Sequence, residues 1–242
     1  MDKSIPLTTT SIQRKVALYS GISIILMTII ASFSFGVLDT LVVFDNALLT
    51  INQLSESKTL FLISIIGWCI IVFLDLLVSL TFYLYFKLID EKISLFMGIF
   101  RFIYTTLLAF ALLNLFEVLF LLDEQIYTLP TLNQQFHTQI LFFVNRFNSI
   151  WSIGLIIFSV HIFLLGFLVF QSNIPKFLAI LLFLASFGYV IVHGGNLFFP
   201  NYKETISLIE SIFILPMILG ELGLAIWLLI KGGKIQNNIE QS

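Results

Sequence analysis

Charge is scarce in this sequence. Of its 242 residues, 11% are Asp, Glu, Lys or Arg, against about 25% in a typical soluble domain. No long polar stretch and no basic block occurs, and 12 basic side chains face 14 acidic ones for a net charge of −2. Such a chain is not a soluble globular enzyme, a nucleic-acid binder or a disordered polymer. Cysteine is nearly absent as well. The single Cys69 permits no disulfide within the chain and no Cys-based metal site.

Catalytic signatures are missing too. There is no His-Glu-x-x-His zinc motif, no G-x-S-x-G nucleophile elbow and no Walker-type loop. Haem held by His161 and His193 fits poorly. At the helical rise the two lie roughly 16 Å and 25 Å above the inner edge, whereas axial ligands need one level. No cofactor and no metal are therefore expected.

What fills the chain is apolar. Hydrophobic residues make up 59%, with 27 phenylalanines, and mean hydropathy is +1.04. The expected solvent, and the one partner the composition indicates, is the lipid bilayer. Six apolar runs, at about 16–38, 59–86, 93–122, 150–170, 177–199 and 209–230, reach the length needed to cross it. Helix is the default, because lipid forces each segment to satisfy its own backbone hydrogen bonds. A barrel would need short alternating segments instead. The expected fold is thus all-α: one polytopic domain of six transmembrane helices over residues 1–242.

The links add detail. Asp90-Glu91-Lys92 alone joins spans two and three, and residues 171–176 join spans four and five, so each pair reads as an antiparallel hairpin. The longer links at 39–58 and 123–148 are partly apolar and are expected to hold short interfacial helices. In the second, Phe136, Ile140, Phe143, Phe147 and Trp151 share one helical face that runs into span four. The first run exceeds a signal-peptide core and reads as an uncleaved helix. Orientation follows from Lys and Arg. With the N-terminus cytoplasmic, the inner segments hold Lys3, Arg14, Lys15, Lys87, Lys92, Arg101, Lys176, Lys231 and Lys234, and the outer ones Lys58, Arg146 and Lys203. Both termini are expected inside.

Ionisable residues within the spans are candidate functional sites, because charge in hydrocarbon is costly. Asp75, Arg101, His161 and Glu221 fall at similar depths and form one candidate intramembrane site. Asp75 and Arg101 sit on the two arms of one tight hairpin, so an ion pair is expected. Asn114, Glu117, Tyr189, His193 and Asn196 form a second, outer candidate cluster. There Ser186, Tyr189, His193 and Asn196 make a polar stripe along span five. Each set has a plain structural reading beside the functional one. Arg101 could snorkel to headgroups, and polar groups could simply fasten helices. Pro216 is expected to kink span six. Ser152, Ser159 and Gly166 recur every seven residues as a close-packing seam.

These residues also carry a resemblance. His161-Ile-Phe-Leu-Leu-Gly166-Phe-Leu, Ser172-Asn-Ile-Pro175-Lys, then Leu178, Leu181, Leu182, Ala185, Gly188 and Tyr189 form its strongest stretch. Gly220-Glu221-Leu-Gly-Leu-Ala-Ile-Trp227, Asp75, Tyr83-Leu-Tyr-Phe-Lys87 and Arg101 extend it. The chain resembles the uncharacterised bacterial multi-span family known as domain of unknown function 4386, over nearly its whole length. The resemblance implies a six-span membrane protein of the bacterial plasma membrane and brings no activity, cofactor or catalytic residue. Three functions stay open: a transporter-like or ligand-binding component built on the inner site, a structural or accessory subunit, and an intramembrane enzyme using Glu117 or His193. The small-molecule ligand and any protein partner are not specified by the sequence.

Overall fold

The computed structural model describes residues 7–43, 46–123 and 130–233. They fold into α1 (Leu7–Leu41), α2 (Ala47–Glu56), α3 (Lys58–Phe86), α4 (Glu91–Asp123), α5 (Pro130–Gln171), α6 (Lys176–Phe198), a 3-10 turn at Pro200–Tyr202, and α7 (Lys203–Ile230). All but α2 and the turn are long and apolar enough to cross a membrane, which makes six spans. The chain is thus a helical multi-pass membrane protein. Lys3 and Lys234, counted in the charge bias, lie outside the described residues.

The helices outrun the apolar stretches that announced them. Helix α5 has 42 residues, about 63 Å of helix against roughly 30 Å of hydrocarbon. Its first part is the expected interfacial face, continuous with span four rather than set apart by a turn. Ile140 and Phe147 on that face are buried, and Phe143 and Trp151 pack against the core. The side chain of Phe136 lies outside the described ones. The first long link does hold a short separate helix. Asn46 caps α2 by accepting the Leu49 N–H at 3.0 Å, and Thr50, Ile51 and Leu54 form its buried face.

The six spans form a ring in chain order. Each packs on the spans before and after it, and α1 closes the circle against α7. Side-chain bonds fix the antiparallel hairpin of α3 and α4. Ser79 Oγ donates to Gly98 O at 2.8 Å, and Ser94 Oγ donates to Tyr83 O at 2.9 Å. Small residues let the later helices approach. A Cβ on Gly166 would lie 3.1 Å from the Phe183 ring, and one on Gly188 would lie 2.7 Å from Phe213 Cβ. In the same seam Ser186 Oγ donates to Ser159 O at 2.9 Å. Large apolar side chains such as Phe73, Phe110 and Leu208 point outward, as lipid-facing surfaces require.

Helix α7 differs from the others. It runs unbroken through Pro216, and between Ile206 and Gly220 it buries no residue. Its last turns, by contrast, are fixed to α1. Arg14 Nη2 donates to Leu229 O at 2.7 Å, and Arg14 Nη1 donates to Leu228 O and Gly232 O at 3.1 and 2.8 Å. A cation is thereby set on the carbonyls of the helix's last turn, where the dipole favours positive charge; of these Leu228 O also accepts the Gly232 N–H at 3.0 Å.

Candidate functional site

Four of the six spans each bring one polar side chain to the same level. Asp75 lies 11 residues before the end of α3, Arg101 ten after the start of α4, His161 ten before the end of α5, and Glu221 nine before the end of α7. At 1.5 Å per residue all lie about 14–16 Å from one end of the bundle, near the middle of a bilayer.

Arg101 is the hub. Its Nε and Nη2 donate to Asp75 Oδ1 at 2.9 and 2.6 Å. Its Nη1 donates to Glu221 Oε1 at 2.9 Å and to His161 Nε2 at 3.1 Å. Four of five guanidinium N–H groups are thus used. The guanidinium carbon also lies 5.3 Å from the Phe158 ring centre and 5.8 Å from that of Phe82, within cation–π range. His161 stacks on Phe158 at 5.2 Å, and its Nδ1 lies 2.9 Å from Met97 O.

Burial across the hub is unequal. Asp75 and Arg101 are 2% exposed and His161 0%, while the Glu221 side chain is 18% exposed. Charge is unequal too. One guanidinium meets two carboxylates, so with both ionised the cluster carries one net negative charge. A deep ion pair depends on hydrogen bonds to its other polar atoms, and here four of the five guanidinium N–H groups and both His161 ring nitrogens have partners. The expected pairing of Asp75 with Arg101 is present, and Arg101 does not snorkel.

The outer set does not gather into one cluster. Asn114 is buried, but its Nδ2 donates back to its own helix, to Ala111 O at 3.0 Å and Phe110 O at 3.4 Å. Glu117 is exposed, because three residues of helix fall about 60° short of a full turn and rotate it off the bundle face. Asn196 is exposed at the end of α6. Tyr189 and His193 do meet, stacked at 6.0 Å, and Tyr189 also sets its ring edge on Phe158 at 5.4 Å. Sequence reasoning missed the aromatic walls Phe82 and Phe158, the Met97 carbonyl and the Arg14 cap. Arg14 carries a signal in its place two residues ahead of the first apolar run, but from sequence it reads only as an orientation charge.

Comparison with known proteins names a family and no activity. A protein of Archaeoglobus fulgidus, described as an uncharacterized protein, is 31% identical over 173 residues, which cover 71% of this chain and 85% of that one. No solved structure matches. The family described as "Domain of unknown function (DUF4386)" matches residues 19–232, a range that takes in Asp75, Arg101, His161 and Glu221, and to this family the chain belongs.

Proposed function

We propose that this protein is a ligand-binding or transporter-like component of the cell membrane, with Arg101 as the binding group and Glu221 as the arm that lets go. One observation carries the reading. Of the four clustered side chains only Glu221 reaches toward the surface, at 18% exposure, and it stands on the helix that buries no residue from 207 to 219. A small molecule with a carboxylate or phosphate, entering beside α7, takes the place of Glu221 on Nη1. One charged acceptor replaces another, so the guanidinium loses no bond. Asp75 and His161 hold Arg101 in place meanwhile.

Orientation is part of the proposal: both termini lie in the cytoplasm, on the Lys and Arg bias. A reporter fused at Ser242 and active only outside the cytoplasm contradicts it. The binding role is tested by deleting the gene in its host and profiling metabolites and lipids without preselection. Wild type should restore the profile, and Glu221→Gln, at matched folded amount, should not. Full restoration by the variant contradicts the reading.

A second reading has its own support. Because four guanidinium N–H groups are already bonded within the protein, the cluster also serves as a fastener of α3, α4, α5 and α7. As a pure fastener it would leave the profile unaffected by any variant that folds.

A further inference from the structure

A second polar feature lies toward the other end of the bundle. Three nitrogen-bearing rings stand in a row there. Trp68 of α3 meets Trp151 of α5 edge-on at 5.1 Å, and Trp151 meets His193 of α6 at 6.5 Å. Trp68 Nε1, Trp151 Nε1 and His193 Nδ1 are all buried and all without a hydrogen-bond partner. The Tyr104 hydroxyl approaches Trp151 Nε1 but does not reach hydrogen-bond geometry. Buried N–H groups left unpaired are rare and costly. Two indole N–H groups and an imidazole nitrogen in one contacting row, on three different helices, call for an acceptor that enters from outside.

The rings of the row reach the bilayer side of the bundle, although their nitrogens are covered. Trp68 is 2% exposed, but Trp151 and His193 are half-buried. Phe35 of α1, exposed, lays its ring 5.9 Å from Trp151. Beside these residues a Cβ on Gly36 or on Gly194 would meet no atom within 4 Å. On that side α7 buries nothing from 207 to 219.

The chemistry of the row defines its guest. Indole N–H groups donate and cannot accept, so the guest must present acceptor oxygen. Among the described residues the cations that lie over rings do so on Tyr83, Phe82, Phe158, Phe142 and Phe170 and not on this row, so a neutral guest fits it better than an anion. The walls are aromatic, so the rest of it is apolar. We infer that Trp68, Trp151 and His193 form a bilayer-accessible binding site for a neutral, apolar molecule carrying a carbonyl oxygen, as an ester or a ketone. The site stands apart from Arg101 and does not depend on its role.

The test uses the full-length protein in nanodiscs of diether phosphatidylcholine, which carry no ester carbonyl. Methyl decanoate is added as the probe, with decane as its acceptor-free match, and the melting midpoint is followed. Binding to the folded state raises the midpoint by mass action. Methyl decanoate should raise the midpoint of wild type and of the control Glu117→Gln by a few degrees, and decane should not. Trp68→Phe and Trp151→Phe keep an aromatic six-membered ring and lose the N–H-bearing one. Each should weaken the response on the order of tenfold, the worth of one such hydrogen bond. If either tryptophan variant fails to fold, His193→Phe carries the same test. Equal shifts with ester and decane, an undiminished shift in the variants, or no shift in wild type overturns the inference. A repeat in diester phosphatidylcholine identifies the source. Loss of the probe's effect there marks a lipid ester as the occupant, and persistence marks a free carbonyl compound.

Discussion

Arg101 Nη1 lies 3.1 Å from His161 Nε2, and this contact fixes the imidazole. A guanidinium has no acceptor, so Nε2 accepts. The ring proton then sits on Nδ1, which donates to Met97 O at 2.9 Å. Met97 and Arg101 are one turn apart on α4, so a single ring of α5 grips that turn by backbone and side chain together. Nitrogen NMR of the histidine ring should report the Nδ1–H tautomer. The Nε2–H form would mean that Arg101 points elsewhere.

Removing Arg101 and Asp75 together should cost less than the sum of removing each alone. Arg101→Gln leaves the Asp75 carboxylate, 2% exposed, facing no cation. A loss of about 3–5 kcal/mol in unfolding free energy is expected. Asp75→Asn still accepts bonds but without charge, for about 2 kcal/mol. The double variant should fall short of the sum by about 1–3 kcal/mol. Simple addition in chemical denaturation would show the two to be independent.

Arg14 should hold the last helix to the first. Its three bonds end on carbonyls of residues 228, 229 and 232. Arg14→Met keeps the apolar stem and removes the cation, at an expected cost of about 1–2 kcal/mol. Amide exchange over residues 224–232 should quicken on the order of tenfold, with α4 unaffected. Unchanged exchange would make the cap dispensable.

The faces of α6 are open to labelling. In a Cys69→Ala background, because Cys69 is itself exposed, single cysteines at Phe187 and Ile191 should react with a lipid-phase reagent. Those at Ser186 and Val192 should not, since both are buried. Strong reaction at 186 and 192 with none at 187 and 191 would reverse the face.

The contrast between the two polar sets shows what was legible in the sequence. Depth was legible, because a helix adds a fixed rise per residue, and so Asp75, Arg101, His161 and Glu221 could be placed at one level. Rotation about each axis was not. Glu117 sits at a depth like that of its supposed partners and still turns outward, since packing against neighbours decides which way a helix faces. Where α6 runs past its packed stretch, Asn196 leaves the stripe for the same reason. Aromatic walls were hidden among 27 phenylalanines, where neither Phe82 nor Phe158 stands out. The α1–α7 closure was hidden because it joins residues more than two hundred positions apart.

The division of the hub into a fixed part and a releasable arm is tested most directly by comparing Glu221→Gln with Asp75→Asn in unfolding free energy. The two variants are isosteric, and each removes one negative charge. Asp75 accepts two bonds in a sealed position, whereas Glu221 accepts one at 18% exposure. The expected result is a loss within about 1 kcal/mol for Glu221→Gln against about 2 kcal/mol or more for Asp75→Asn. Equal losses would contradict the account and make the four side chains one closed fastener.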